Sequence, residues 1–236
     1  MISEIKQELH HHANPTKAKI LQRFFKTGQG EYGEGDIFLG VVVPETRKIA
    51  KKYTSLTFPE ILTLLQSKIH EERLTALLIL VEQYQKNLEK RKKIFDFYLE
   101  NIPHINNWDL VDLSADKIVG RFLYDFGKDY PVYKILLKKL AESSNIWERR
   151  IAIIATFYFI KQNHFEETFD IAELLLEDKH DLIHKAVGWM LREAGKRNQE
   201  FEEQFLKEHY KKMPRTMLRY AIERFDKGKR LWYMKR

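Results

Sequence analysis

The chain has 236 residues, 44% of them hydrophobic and 32% charged, with a formal net charge of +7 and a pI near 9.3. That is enough apolar material for one sizeable core, in one domain or one continuous array. The absence of cysteine excludes a disulfide framework and thiolate-held metals or clusters. No apolar run is long enough to span a bilayer, and the opening "MISEIKQELHHHANP" lacks the apolar core of a signal peptide, so a reducing cytoplasm is the expected location.

In chain order, nearly every segment carries apolar residues at helical spacing. "NPTKAKILQRFF" begins with Asn14 as an expected N-cap and Pro15 at the first helical position. A glycine-rich stretch follows, and half of the ten glycines fall between residues 28 and 40, which predicts a mobile connection. "IFLGVVV" at 37–43 is the one short β-like run. "PETRKIAKKY" and "FPEILTLLQSK" read as short helices with proline near their starts. Longer helices are predicted in "HEERLTALLILVEQYQK", "RKKIFDFYLENI" and "NWDLVDLSADKIVGRFLYDF". "PVYKILLKKLAES", "IWERRIAIIATFYFIKQ", "FEETFDIAELLLED" and "DLIHKAVGWMLREAGK" come next. "EFEEQFLKEHYKKM" and "PRTMLRYAIERF" end the series. Helices joined by short turns make an all-α protein.

The helices are also periodic. Ala76, Ala115, Ala152, Ala186 and Ala221 recur in similar company, at steps of 39, 37, 34 and 35 residues. Each step holds two helices and their turns, the length of a HEAT-like paired-helix repeat. The expectation is a single α-α superhelix of such repeats over residues 1–236, with a concave face suited to a protein or a nucleic acid. Charge favours the latter. From His209 to Arg236 there are ten basic residues against Glu223 and Asp226, so this tail carries +8 and the remainder sums to −1.

Three motifs mimic other chemistries. Gly28, Gly30 and Gly33 match the spacing of a dinucleotide fingerprint, but that motif needs a preceding strand and a following helix. Here a helix precedes, and Glu31, Glu34 and Asp36 would repel a pyrophosphate. His180 and His184 stand four apart in "HDLIH", with Asp181 too short for a metalloprotease base and no third ligand evident. His10, His11 and His12 are adjacent, and adjacent helical side chains diverge by about 100°. No metal site and no cofactor are therefore expected.

One constellation remains. Trp108 and Asp112 are four residues apart and share a helical face. The ordinary reading is a core tryptophan under a solvated acidic stripe formed with Asp109 and Asp116. Measured from the repeat alanines, Trp108 lies at −7, Asp112 at −3 and Trp189 at +3, on neighbouring parts of one side. The arginine pair lies at −3 (Arg149) and −2 (Arg150), and phase alone favours Arg149.

"FLGVVVPETRKIAK", "NNWDLVDLSA", "WERRIAI" and "IHKAVGWMLREAGK" together resemble the bacterial DNA alkylation repair family, the HEAT-like-repeat alkylpurine DNA glycosylases. The resemblance runs over nearly the whole chain with the motifs in family order. It implies excision of N3- or N7-alkylated purines from duplex DNA in a bacterial cytoplasm, on the nucleoid when bound; an elongated array with a single cleft has no obvious need to oligomerise, so a monomer without an obligatory protein partner is expected. It implies catalytic roles for Trp108, Asp112 and Trp189, and it selects Arg150, the third residue after Trp147. It also implies a duplex lying in the concave cleft and contacted through sugar and phosphate without base flipping. Arg149, Lys185, Arg192, Arg215 and Arg219 would then supply sequence-independent affinity. Two departures stand out: the glycine-rich insertion at 28–36, and Phe24 or Phe25 where some members carry a tyrosine near the lesion. The alternatives are a non-catalytic helical-repeat protein that binds damaged or structured nucleic acid, and a protein-binding scaffold.

Overall fold

A computed structural model describes residues 1–127 and 132–235. Pro131, read above as the start of a helix, and Arg236 of the basic tail lie outside the described residues. Two compact units are formed, Met1–Ser114 and Ala115–Arg236. Among the described residues there are helices and no strands, as the periodicity predicts. The run 37–43 contributes one isolated parallel bridge, Ile37 to Ile69.

The first unit contains α1 (Ile2–His11), α2 (Pro15–Phe24), α3 (Val43–Lys52), α4 (Phe58–Leu65), α5 (His70–Lys86), α6 (Arg91–Glu100) and α7 (Trp108–Asp112). Asn14 caps α2 as expected, its side chain accepting from Lys17 N. α5 packs against α1, α3, α4, α6 and α7. A helix surrounded on all sides must be buried around its whole circumference, and α5 is buried almost continuously from His70 to Tyr84.

That position explains the opening "HEER" of α5. All four residues are buried, and buried charges need partners. The Glu71 carboxylate accepts from the amides of Leu39, Gly40 and Val41, at 2.8 to 3.2 Å. It thereby ties down the stretch that sequence alone reads as β-like. Glu72 pairs with Lys6 at 3.0 Å, and Arg73 pairs with Asp36 at 2.6 Å.

The second unit begins with a wide π turn, Asp116–Gly120. It continues with α8 (Arg121–Gly127), α9 (Val132–Ala141), α10 (Ile146–Lys161), α11 (Glu166–Leu174), α12 (Asp181–Gly195), α13 (Gln199–His209), α14 (Arg215–Ala221) and α15 (Lys227–Met234). α10 packs on the π turn, α9, α11 and α12, and α12 packs on α14 and α13. The repeat alanines Ala76, Ala115, Ala152, Ala186 and Ala221 are all fully buried, where their small size permits close helix approach.

One predicted element is corrected. The segment 108–126 is not one helix. α7 stops at Asp112, Leu113 and Ser114 form a turn, and the π turn follows. Ser114 Oγ donates back to the Leu110 carbonyl at 2.5 Å and meets the Tyr98 hydroxyl at 3.0 Å. Such back-bonding competes with regular helix. The helical phase counted from Ala115 back to Trp108 therefore crosses a break and does not hold, whereas the four-residue spacing within α7 does.

Candidate active site

Asn107, fully buried, starts α7; its side chain accepts from Trp108 N at 2.8 Å. Trp108 and Asp112 are both half-buried, so the tryptophan is not a plain core residue. One face of the indole lies on Phe25 (centroids 4.9 Å apart, planes at 7°), and Phe24 meets it edge-on at 5.8 Å. Of the two phenylalanines at the end of α2, Phe25 is buried beneath Trp108 and Phe24 is 62% exposed. Beside them lies an apolar cavity of about 380 Å³, walled by Ile20, Phe24, Phe25, Phe38 and Val41, with His70 and Asp109 also lining it.

The acidic stripe is not solvated. Asp109 is 6% exposed, and its Oδ2 lies 2.8 Å from His70 Nε2. Asp116 is 1% exposed and accepts from Lys117 Nζ at 2.9 Å and Lys161 Nζ at 2.6 Å. Of the three carboxylates in the run, Asp112 is the one at a part-exposed position. The other two are each paired with cations, His70 for Asp109 and Lys117 and Lys161 for Asp116.

His70 lies between two carboxylates, with Nδ1 3.2 Å from Asp36 Oδ2 and Nε2 on Asp109. Burial pulls its pKa down, but the Asp109 and Asp36 partners outweigh burial and the Arg73 charge and raise it to about 9. The imidazole is thus charged at neutral pH. Asp36 is held below the usual carboxylate range: burial opposes this, but the His70 bond, Arg73 and Asn107 overcome it. Sequence reasoning missed Asp36, His70, Arg73 and Asn107 as a group. The available signal was four consecutive charged residues at the head of an otherwise apolar helix, which cannot all face solvent if that helix is central.

In the second unit the arginine pair divides. Arg149 donates to Asp178 at 2.6 Å and to the carbonyls of Ser143 and Ser144 at 2.9 Å, and so ties the start of α10 to neighbouring loops. Arg150 is 4% exposed and donates from Nη1 to the Leu182 carbonyl of α12 at 2.5 Å. Trp189, two turns further along α12, is half-buried; its Nε1 donates to Glu193 at 3.1 Å, and its ring tilts against Phe157. Lys185 pairs with Asp181. Arg192 pairs with Glu223 and Glu193. Arg215 donates to the Met234 carbonyl, and Arg219 is exposed.

The mimicking motifs have local explanations. Glu31 and Glu34 accept from the amides of Gly28 and Gly30, each at 2.9 Å, and so take up donors that a phosphate would use. The His180 ring accepts from Leu182 N and caps α12, while the His184 ring meets the Asp178 carbonyl. His10 and His11 form the last turn of α1, and His12 is its C-cap. Among the described residues no group of three His, Asp or Glu side chains is placed to hold a metal ion.

A model of the family described as DNA alkylation repair enzyme matches residues 5–225. None of the curated proteins matches the chain in sequence. Among solved structures, the chain resembles one described as a predicted DNA alkylation repair enzyme from Enterococcus faecalis. Their TM-score is 0.69 at 18% identity, covering 92% of this chain and 98% of that one. It also resembles AlkD2 from Streptococcus mutans, with TM-score 0.57 at 19% identity over 94% and 99% of the two chains. A third likeness is to smu.31 from Streptococcus mutans UA159, with TM-score 0.55 at 21% identity over 78% and 93%. At these identities the likeness to solved structures is one of fold.

Proposed function

This chain belongs to the DNA alkylation repair enzyme family, and from that premise we propose that it is a DNA glycosylase releasing positively charged N3- or N7-alkylated purines from duplex DNA. Alkylation places a positive charge on the purine and makes it a good leaving group, so little general-acid help is needed. What needs stabilising is the deoxyribose as the C1′–N bond breaks and the sugar becomes oxocarbenium-like. The electron pair leaves with the base, whose positive charge it neutralises, and water then adds to C1′ and gives up a proton. A preorganised carboxylate stabilises the cation electrostatically, as in glycoside hydrolysis.

Asp112 is assigned that role and the orientation of the attacking water. Trp108 and Trp189 present π-faces that favour a developing cation and pack on the sugar. Arg150 is assigned to a flanking phosphate, for which a planar fork is suited; that fork is buried and bonded to the Leu182 carbonyl, so the contact requires it to be uncovered on binding. Lys185, Arg192, Arg215 and Arg219 contribute to phosphate affinity, whereas Arg149, the fifth cation expected to do so, is held by Asp178 and the Ser143 and Ser144 carbonyls and orders the start of α10. No base-reading pocket is invoked: the assigned residues are partners for sugar and phosphate, and the base need not be flipped.

The observation that carries this reading is the difference in exposure among the three aspartates: Asp112 is part-exposed four residues after Trp108, and Asp109 and Asp116 are buried. The test is release of 7-methylguanine and 3-methyladenine from alkylated duplex DNA. Wild type is expected to release both; Asp112→Asn is expected to release them about 10²- to 10³-fold more slowly while still binding the duplex. Equal release by the two proteins removes Asp112 from the mechanism. No release by wild type, with binding retained, leaves a DNA-binding protein without turnover.

A further inference from the structure

α7 is five residues long, too short to hold its own conformation in water, yet it carries both Trp108 and Asp112. Its position must come from tertiary anchors, and those converge on His70. The first anchor is polar. Asp36 Oδ1 binds Arg73 at 2.6 Å, and its Oδ2 binds both His70 and the Asn107 side-chain amide, the latter at 3.0 Å. Asn107 in turn accepts from Trp108 N, and Asp109, the second residue of α7, binds the other nitrogen of His70. The cations His70 and Arg73 balance the carboxylates Asp36 and Asp109, and all four are buried.

The second anchor is aromatic. Trp108 stacks on Phe25, Phe25 on Phe38 (4.9 Å) and Phe38 on the His70 ring (4.4 Å, 22° between planes). Asp36 closes the glycine-rich stretch 28–36. That stretch is seated against the same stack: Gly33 N donates to the Lys26 carbonyl at 3.0 Å, and a Cβ on Gly33 would come within 2.5 Å of the Phe25 carbonyl oxygen.

We propose that Asp36, His70 and Asp109 are positioning residues that set the orientation of Trp108 and Asp112, and that the glycine-rich stretch is the strap delivering Asp36 to them. The role in turnover rests on the glycosylase reading above; the setting of Trp108 does not. Breaking a buried, balanced cluster leaves an unmatched charge. A shift of α7 on the order of 1 Å costs about a hundredfold in rate.

The groups facing His70 are Asp36 from the strap, Asp109 from α7 and Arg73 from its own helix, with Phe25 and Phe38 against the ring. Loss of the His70 proton removes one of the two cations and should be felt at Trp108.

The experiment uses the full chain labelled with 5-fluorotryptophan, with the Trp108 ¹⁹F resonance assigned by Trp108→Phe. In wild type, that resonance is expected to shift with a midpoint that matches the separately followed His70 ring, near pH 9. The resonances of Trp147, Trp189 and Trp232 should not share that midpoint. Asp36→Asn is expected to displace the Trp108 resonance at neutral pH and to lower kcat for base release about a hundredfold, with duplex affinity changed less than about twofold. A Trp108 resonance indifferent to the His70 titration overturns the proposal, and because that measurement is made on wild type it stands even if the variant fails to fold. An unchanged kcat in a folded variant with a displaced resonance also overturns it. If wild type releases no base, the functional reading fails and the fluorine spectra alone decide the positioning.

Discussion

Asp109, Asp112 and Asp116 fall within eight residues yet meet different surroundings. Asp109 and Asp116 are buried, and Asp112 sits part-exposed at the end of α7. Chemistry that needs an accessible carboxylate is therefore assigned to Asp112. Asp112→Asn should lower kcat for base release by about 10²- to 10³-fold, the scale of removing one preorganised electrostatic group, as single-turnover kinetics on alkylated duplex would measure.

Glu202 offers a residue-scale test of stability. It is buried in α13, its Oε1 has no hydrogen-bond partner, and burial, helped by Glu203 and opposed by Arg192, raises its pKa to about 9. A folded-state pKa above the unfolded value means that its contribution is fully present below about pH 4.5 and is lost as pH rises toward 9. Glu202→Gln should stabilise the protein by about 2 kcal/mol at pH 7, and the gain should vanish near pH 4. Denaturant unfolding of both proteins across that range is the check; an equal difference at both pH values contradicts the assignment.

At the scale of elements, α5 does more than fill the core. Its first turn places four buried charged residues against partners and so gathers α1, the 36–41 stretch and α7. His70 is raised above 6.5, so its contribution to stability is fully present below that pH and lost as pH rises through about 9. His70→Gln should flatten that alkaline limb, as thermal melts from pH 6 to 10 would record. Asp36, held low, contributes in the opposite sense: its share is present above 3.8 and lost as pH falls through its depressed value.

The π turn has a different constraint. A Cβ on Gly120 would lie 2.0 Å from the Ala155 carbonyl oxygen on α10. Gly120→Ala should therefore force the turn off α10 and cost about 1–3 kcal/mol, read as a lower denaturation midpoint with an unchanged m-value.

For the whole molecule, the net charge of +7 and the +8 carried by the last 28 residues favour a polyanionic partner. The family assigns the chain to DNA alkylation repair. If about five of the named cations meet phosphates, duplex affinity should fall a few hundredfold between 50 and 200 mM salt. It should fall alike for alkylated and unmodified duplex. A nearly flat salt dependence in a filter-binding or anisotropy titration would instead point to a scaffold that recognises protein.

What sequence by itself determined here is what local spacing encodes. Helical periodicity predicts the all-α class. The recurrence of Ala76, Ala115, Ala152, Ala186 and Ala221 marks buried positions, and all five are inaccessible. Four-residue spacing places Trp108 and Asp112 on one short helix, and the motif order points to the family. Tertiary structure decided which charges are structural. Asp36 and His70 are 34 residues apart, and His70 and Asp109 are 39 apart. Nothing in a periodic pattern says that a carboxylate closing a glycine-rich stretch will meet an imidazole heading a central helix. The same holds for Arg149, fixed by Asp178 and two carbonyls, and for the break after Asp112, where a serine hydroxyl bonds to the backbone. Periodicity reports which face of a helix is apolar; the partner of a buried polar group is set by how the chain returns to it.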